Sequence, residues 1–240
     1  MSVDCAKWIC ESIAETVQTK GRFTWVLSGG NTPKTLYELL AASPYREKIP
    51  WGKLHIFWGD ERAVPFDDPR NNAKMAYDNL LNQVPVPASQ IHVMRTDIPP
   101  EESAVAYEKI LQQYFPSANR TKTSTVGGHT FDLVLLGMGE DGHTLSLFPG
   151  TEVVQEEKAW TRAYFLKAQD MYRITLTKSI VNLSAKVAFL ATGPDKAKAL
   201  EQVLEGPFNP DLYPSQVIRP LTGELHWFID EKAASGLSYK

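Results

Sequence analysis

The strongest candidate for acid–base chemistry is a histidine within residues 131–150, FDLVLLGMGEDGHTLSLFPG. His143 follows an apolar run and a glycine-rich turn, and Asp141 lies two residues before it. A carboxylate at that spacing can orient an imidazole, and a neutral histidine is suited to general-base catalysis near neutral pH. We therefore predict that His143 is a general base assisted by Asp141. Structural roles are assigned to the other histidines, which lie in or beside predicted strands or in a polar loop: His55, His92, His129 and His226.

The same turn has a second interpretation, because residues 137–142 match the G-x-G-x-x-G fingerprint of dinucleotide-binding proteins directly after a predicted strand. Such a site needs a full helix after the turn and an acidic residue about 20 positions further on. Pro149 and Gly150 cut that helix short, and Asp170 comes late. The pattern disfavours a nicotinamide cofactor, although tight NADH binding would restore this interpretation.

A loop of small residues is a candidate anion site. It follows a β-prone run and precedes Pro33, which suits the first turn of a helix. Free N–H groups and the helix dipole attract phosphate at such a position. The alternative interpretation is a tight turn that binds no ligand. The loop lacks the G-x-x-x-x-G-K-[ST] pattern, which disfavours a nucleoside triphosphate. The predicted anion-binding residues are Ser28, Gly29, Gly30, Asn31 and Thr32.

Charged residues follow several of the predicted strands. Arg62 can stabilise developing negative charge while Asp60 holds its guanidinium group, although a solvated charge cluster is the alternative. Arg173 and Lys196 are candidates for a phosphate clamp, and Arg70 is a weaker one. We predict that these basic groups create a locally positive site.

Other kinds of catalytic centre are disfavoured by the sequence. Cys5 and Cys10 are remote from His143 and there is no H-x-x-x-H pair, so no metal site is predicted. Neither Ser28 nor Ser146 lies in a G-x-S-x-G elbow. Water is therefore the more plausible nucleophile.

Strand-like and helical segments alternate along the chain. This rhythm, with nearly continuous apolar strands, predicts an α/β fold with a mainly parallel, doubly wound, Rossmann-like sheet and helices on both faces. The glycine and charged loops then meet at one edge, since ligands bind outside the carboxyl ends of such strands. Predicted strands lie at 23–27, 54–58, 91–94, 131–136, 162–166, 173–177, 186–191 and 225–229, and predicted helices at 3–17, 34–42, 72–81, 99–114, 197–204 and 230–234.

Composition restricts the class of protein. With 240 residues, of which 43% are hydrophobic, the chain can bury its own core, and we predict one domain over residues 1–240. The polar connection at 115–130 is the only candidate for a division within the chain, and we do not predict a domain boundary there. A net charge of -3 argues against nucleic acid, and no stretch predicts a membrane span. Two cysteines five residues apart are typical of reduced thiols, so we expect a cytoplasmic protein.

Together these motifs resemble the 6-phosphogluconolactonase family. The likeness spans nearly the whole chain and rests on LSGGNTP at 27–33, DER at 60–62 with Pro69 and Asn72, GMGEDGHT at 137–144, LFPG at 147–150 and GPDKA at 193–197. The resemblance implies cofactor-free hydrolysis of 6-phospho-D-glucono-1,5-lactone in the pentose phosphate pathway. It implies that His143 is the general base and that Asp60, Arg62, Arg173 and Lys196 surround the substrate. We also expect a monomer.

Two departures and two alternatives accompany this resemblance. Asn31 stands where the family often has serine, and the N-terminus begins in the first helix, which raises the question of an edge strand. Related glucosamine-6-phosphate deaminases share the fold, but their pattern has a glutamate five residues after the histidine, where this chain has Phe148. A sugar-phosphate sensor that binds without turnover is the other alternative, although it usually accompanies a DNA-binding segment.

Overall fold

The computed structural model describes residues 1–116, 118 and 128–238. The helices are α1 (Ser2–Lys20), α2 (Asn31–Leu40), α3 (Tyr45–Lys48), α4 (Asn72–Asn79), α5 (Pro100–Tyr114), α6 (Lys178–Val181) and α7 (Ala197–Leu204). The strands are β1 (Phe23–Leu27), β2 (Leu54–Trp58), β3 (Asp60–Arg62), β4 (Leu133–Gly137), β5 (Thr161–Leu166), β6 (Met171–Leu176), β7 (Lys186–Ala191) and β8 (Glu224–Ile229).

Five strands form a parallel sheet in the order β2-β1-β4-β7-β8. The predicted α/β architecture is therefore confirmed. The chain passes from β1 to β2 on one side and reaches β4 on the other, so β1 and β4 flank a point where the strand order reverses. Loops that leave two such strands diverge and open a crevice at the carboxyl edge, which is the edge of the sheet where the carboxyl ends of its parallel strands lie.

Both faces of this sheet are covered, as the apolar strands predict. On one face, Trp25 of β1 belongs to a core that includes Ile9 of α1 and Leu36 of α2. On the other, Val26 of the same strand belongs to a core that includes Leu111 of α5. Successive strand residues point to opposite faces, which explains why all five residues of β1 are buried.

A second sheet has a different character. It contains three antiparallel strands in the order β3-β6-β5, with Arg62 opposite Arg173 in the register. The runs at 162–166 and 173–177 were correctly predicted as strands, but residues 60–62 were predicted as part of a loop that directly follows the strand at 54–58. The prediction was wrong there because β6 supplies a ladder partner that the local sequence does not reveal.

Three smaller predictions also need correction or qualification. Residues 91–94 do not form a strand: Ile91 makes only an isolated bridge to Ile56. The expected last helix is a 3-10 turn at Ala233–Gly236. The connection at 115–130 lies partly outside the described residues, and the single-domain assignment stays a prediction. In the part of the chain that is described, no helix has the length and apolar character to cross a membrane.

Candidate active site

The crevice between β1 and β4 contains a cavity of about 170 Å³. It draws on both sheets, because loops after the parallel strands form one side and residues of the antiparallel strands form the other. Its lining residues are Ser28, Gly29, Gly30, Asp60, Arg62, Asn72, Gly137, Met138, Gly139, His143, Leu145 and Arg173.

Most of the residues predicted from the sequence meet in this cavity, but not all. Those that line it are Ser28, Gly29, Gly30, Asp60, Arg62, His143 and Arg173. Asn31, Thr32, Asp141 and Lys196 are not among its lining residues. Asn72, Leu145 and the backbone at 137–139 line the cavity without having been predicted as individual site residues.

His143 is held by the carboxylate predicted to orient it. Asp141 Oδ1 accepts hydrogen bonds from the backbone N of His143 at 3.0 Å and from its Nδ1 at 2.5 Å. Because an ionised carboxylate only accepts, Nδ1 is the donor, and in the neutral imidazole the lone pair is then on Nε2. Burial acts to raise the pKa of Asp141, but the hydrogen bonds from His143 outweigh it, so this pKa lies below its usual value.

An aromatic ring supports the imidazole. Phe148 stacks on His143 with 4.0 Å between ring centroids and 20° between planes. The guanidinium carbon of Arg173 lies 5.5 Å from the centroid of the same phenyl ring. Gly139 must lack a side chain, because a Cβ there would lie 2.1 Å from Nδ1 of His143. The orientation of His143 is thus fixed by packing and by hydrogen bonds.

A distant segment holds the peptide just before the histidine. The carbonyl oxygen of Gly142 accepts hydrogen bonds from the backbone N of Ser215 at 2.9 Å and from its Oγ at 2.8 Å. Gly142 has φ 76° and packs against Tyr213, so a larger residue would strain both backbone and packing. Ser215 and Tyr213 therefore fix the turn that presents His143.

The small-residue loop lies very close to the start of α4. A Cβ at Gly29 would lie 1.9 Å from Oδ1 of Asn72, so only glycine fits there. Gly30 precedes α2 with φ 103°, a backbone conformation that favours glycine. Tyr37 closes the loop, because its hydroxyl accepts from the backbone N of Ser28 and donates to the Ser28 carbonyl.

The remaining residues of the predicted phosphate site lie further out. Asn31 begins α2. Thr32 shares a hydrogen bond with Thr192, with 2.7 Å between the hydroxyl oxygens, which links the first turn of α2 to the loop after β7. Lys196 pairs with Asp195 at 2.9 Å. These residues flank the loops of the carboxyl edge without forming the cavity wall.

Asp60 and Arg173 form a buried ion pair across the antiparallel sheet. Nη1 of Arg173 lies 3.7 Å from Oδ2 of Asp60, which also accepts from Oγ of Ser146 at 2.6 Å. Gln169 Oε1 accepts from Nη2 of Arg173. Burial lowers the pKa of Arg173, whose side chain is only 4% exposed, and Asp60 acts in the opposite direction. Asp60 thus holds Arg173 rather than Arg62, which was the predicted partner.

Arg62 is held instead by Asn72 and by the loop between them. Its Nη1 donates to Oδ1 of Asn72 at 2.8 Å and to the carbonyl of Arg70 at 2.9 Å. Asn72 Nδ2 donates in turn to the Asp60 carbonyl at 2.9 Å. Arg70 itself pairs with Asp68, outside the cavity lining.

Two guanidinium nitrogens have unused hydrogen-bonding capacity at this site. Nε of Arg62 and Nε of Arg173 are buried, with no hydrogen-bond partner among the residues described. Across those residues no group of three or more His, Cys, Asp or Glu side chains is placed to hold a metal ion. The site therefore combines a carboxylate-paired histidine with two arginine cations.

Fold and site together define a Rossmann-like α/β protein whose carboxyl edge combines glycine loops, a histidine, the buried Arg173 and the half-buried Arg62. A family model described as "Glucosamine-6-phosphate isomerases/6-phosphogluconolactonase" matches residues 1–227, and the chain belongs to this family.

Individual relatives agree with that assignment. The chain is 42% identical over 232 residues to a 6-phosphogluconolactonase of Nostoc sp., with 96% of this chain and 91% of that protein covered. It is 38% identical over 244 residues to a rice protein named "Probable 6-phosphogluconolactonase 4, chloroplastic", with 100% of this chain and 74% of that protein covered. The solved 6-phosphogluconolactonase of Trypanosoma cruzi has a TM-score of 0.83 at 29% identity, with 99% of this chain and 92% of that one covered.

Proposed function

We propose that this protein hydrolyses 6-phospho-D-glucono-1,5-lactone to 6-phospho-D-gluconate, without a cofactor. The observation that carries the proposal is that His143, which is paired with Asp141, lines the same cavity as Arg62 and Arg173. A lone pair on Nε2 of the histidine can accept a proton, and the two cations can stabilise an anionic substrate and an oxyanion.

In the proposed reaction, Nε2 of His143 takes a proton from water while the oxygen attacks the lactone carbonyl carbon. Arg62 and loop N–H groups stabilise the oxyanion. The bond between the carbonyl carbon and the ring oxygen then breaks, and the imidazolium returns its proton to that oxygen. The products are a free hydroxyl group and a carboxylic acid, which releases its proton to water at neutral pH and becomes the carboxylate.

The phosphate of the substrate binds away from the reacting carbonyl in this proposal. Arg173 and the Ser28 loop supply the inner contacts, and Lys196 supplies an outer one. The partly exposed position of Lys196 and its pairing with Asp195 support that division. Asp60 keeps Arg173 in place through their ion pair.

The second candidate is the deamination of glucosamine 6-phosphate, since the family description includes isomerases of that substrate. The deaminase pattern has a glutamate at the position of Phe148. Here that position holds an aromatic ring stacked on the imidazole, so no carboxylate is supplied from it. This contact favours lactone hydrolysis.

The deciding experiment measures both reactions with the purified protein. Lactone hydrolysis is followed as acceleration over the spontaneous opening of the lactone, and deamination of glucosamine 6-phosphate is measured alongside. We expect lactonase turnover only. Deamination without lactonase activity would reverse the ranking, and binding of the sugar phosphates without turnover of either would point to a sensor.

We further propose that the protein is a cytoplasmic monomer. The free thiols of Cys5 and Cys10 and the net charge of -3 support a reducing compartment and small-molecule rather than nucleic-acid partners. Light scattering coupled to size-exclusion chromatography measures the mass in solution, and a mass of twice 26.9 kDa would exclude the monomer. Microscopy of a fluorescent fusion measures the compartment, and a plastid signal would exclude the cytoplasm.

A further inference from the structure

A buried carboxylate beside the cavity has no role in the reaction described above. Glu61 lies in β3 between Asp60 and Arg62 and is 1% exposed. Burying an ionised carboxylate is costly unless its oxygens are satisfied. The nearby arginines pair with other carboxylates, Arg70 with Asp68 and Arg173 with Asp60.

Backbone amides satisfy Glu61 instead. Oε1 accepts from the backbone N of Arg62 at 2.8 Å and of Asn72 at 2.7 Å, and Oε2 accepts from the backbone N of Ala73 at 2.8 Å. Asn72 and Ala73 begin α4, where the helix dipole also favours negative charge. One side chain therefore joins both ends of the loop at 62–72.

The two residues that Glu61 joins are themselves cavity residues in mutual contact. Nη1 of Arg62 donates to Oδ1 of Asn72 at 2.8 Å, and both line the cavity. If the backbone at either end shifts, this hydrogen bond shifts with it, and the guanidinium moves relative to the lactone carbonyl. A misplacement of about 1 Å can cost roughly 10²-fold in rate.

We propose that Glu61 is a positioning residue, which fixes Arg62 and Asn72 relative to the reacting carbonyl and acts on the lactone only through them. The inference rests on the proposed function, because Arg62 is the oxyanion-stabilising group there. Glu61 itself is not among the residues that line the cavity.

Protonation of Glu61 works against this anchoring. Burial raises its pKa to about 7, the three backbone amides act to lower it, and the Asp60 carboxylate adds to the increase. Besides Asp60, the charged groups near it are Arg62 on the same strand and Arg173 on β6. A protonated carboxyl turns one acceptor oxygen into a donor, which faces an N–H group and loses a hydrogen bond.

The test is the isosteric substitution Glu61→Gln, assayed for lactone hydrolysis at pH 8. The glutamine can accept through one oxygen, but its NH₂ group faces a backbone N–H, so one anchor is lost. We expect kcat to fall about 10- to 100-fold, the loss of one charge-assisted hydrogen bond, while KM changes less than about threefold.

Glu108→Gln is the matched control. Oε2 of Glu108 likewise accepts from the backbone N of two residues of another segment, Trp160 at 3.0 Å and Thr161 at 3.1 Å, and Glu108 is not among the cavity-lining residues. Its substitution should lower the melting temperature and leave kcat unchanged. If Glu108→Gln lowers kcat as much as Glu61→Gln does, then losing any buried carboxylate that binds backbone amides lowers activity. That result would overturn the proposed positioning role of Glu61.

A double-mutant cycle separates positioning from general stabilisation. In an Arg62→Ala background, Glu61→Gln should cost less than about threefold in kcat, because the group through which it acts is gone. A full and additive loss would overturn the inference. If Glu61→Gln does not fold, Glu61→Asp takes its place in the cycle, since it keeps the charge but shortens the side chain by one methylene.

The possible failures are distinguishable. An inactive wild-type protein overturns the proposed function and this inference with it. An active wild type with unchanged kcat in the folded Glu61 variant overturns only the role of Glu61.

Discussion

The two sheets contribute different kinds of groups to one cavity. The parallel sheet contributes through loops: the backbone of Ser28, Gly29 and Gly30 after β1, and His143 after β4. The antiparallel sheet contributes charged side chains from within its strands, such as Arg62 and Arg173.

This difference has a physical basis. Loops at the carboxyl ends of parallel strands can take the irregular conformations that expose N–H groups and present a histidine. Asp60, Glu61 and Arg173 in β3 and β6 are buried and need partners, which the opposite strand and α4 supply. The comparison therefore predicts that substitutions in the loops disturb proton transfer and fit, whereas those in the antiparallel sheet disturb charge.

The largest effect is expected for His143→Ala, which removes the general base. We expect kcat to fall about 10²- to 10⁴-fold with little change in KM, measured as lactone hydrolysis above background. His226→Ala is the control, because His226 also pairs with a carboxylate, Glu224 at 2.7 Å, but on β8. Near-normal turnover in His143→Ala would remove this residue from the mechanism.

The next effect concerns the buried charge of Glu61 and its dependence on pH. An acid whose pKa is raised in the folded state binds more protons there than in the unfolded chain, so its contribution to stability falls as pH rises from about 4.5 to about 7. Between pH 4.5 and pH 8, the free energy of unfolding of the wild type should fall by up to about 3 kcal/mol relative to that of Glu61→Gln. Urea unfolding at several pH values measures this, and parallel pH curves for the two proteins would contradict it.

A smaller loss is expected where the loop after β1 meets the start of α4. In Gly29→Ala the added methyl group would lie 1.9 Å from Oδ1 of Asn72 and must displace it from Arg62. We expect kcat/KM to fall roughly 10- to 100-fold, the scale of one lost hydrogen bond to a charged group. Gly52→Ala is the control, since nothing lies within 4 Å of a Cβ there. Equal activity of the two variants would show that this close approach is unimportant for catalysis.

The smallest effect should separate the inner phosphate contact from the outer one. Arg173→Ala is expected to raise KM about tenfold, and Lys196→Ala only about two- to threefold, because Arg173 is buried in the cavity wall and Lys196 is partly exposed. Steady-state kinetics of both variants measures the ratio. A fall in kcat without a change in KM for Arg173→Ala would place that residue in the chemical step.

Regular patterns made the parallel sheet predictable. β1 and β4 are apolar because they are covered on both faces, and this pattern identifies a central strand without knowledge of its neighbours. β3 was missed because charged residues are uncommon in buried strands, and only the register with β6 explains them.

The site was predictable to a similar degree. Residue type and spacing identified His143 and Asp141, which are in direct contact. The sequence correctly placed Lys196 and Thr32 at the carboxyl ends of the parallel strands. It could not show which side chains of a loop point into a cavity. Asn72 was recognised only as part of a motif, since its contacts with Arg62 and Asp60 join segments about ten residues apart.

The hydrogen bonds from Ser215 to the Gly142 carbonyl have a consequence for folding during synthesis on the ribosome. The ribosome completes the histidine loop 73 residues before the serine that fixes it, and β8, which completes the sheet beside β7, comes later still. Domains generally fold as units during synthesis. A nascent chain that ends between 197 and 214 contains His143, Arg62, Arg173 and Lys196, but Ser215 is not yet present to hold the histidine loop. Full turnover should therefore begin only after Ser215 has left the ribosomal tunnel.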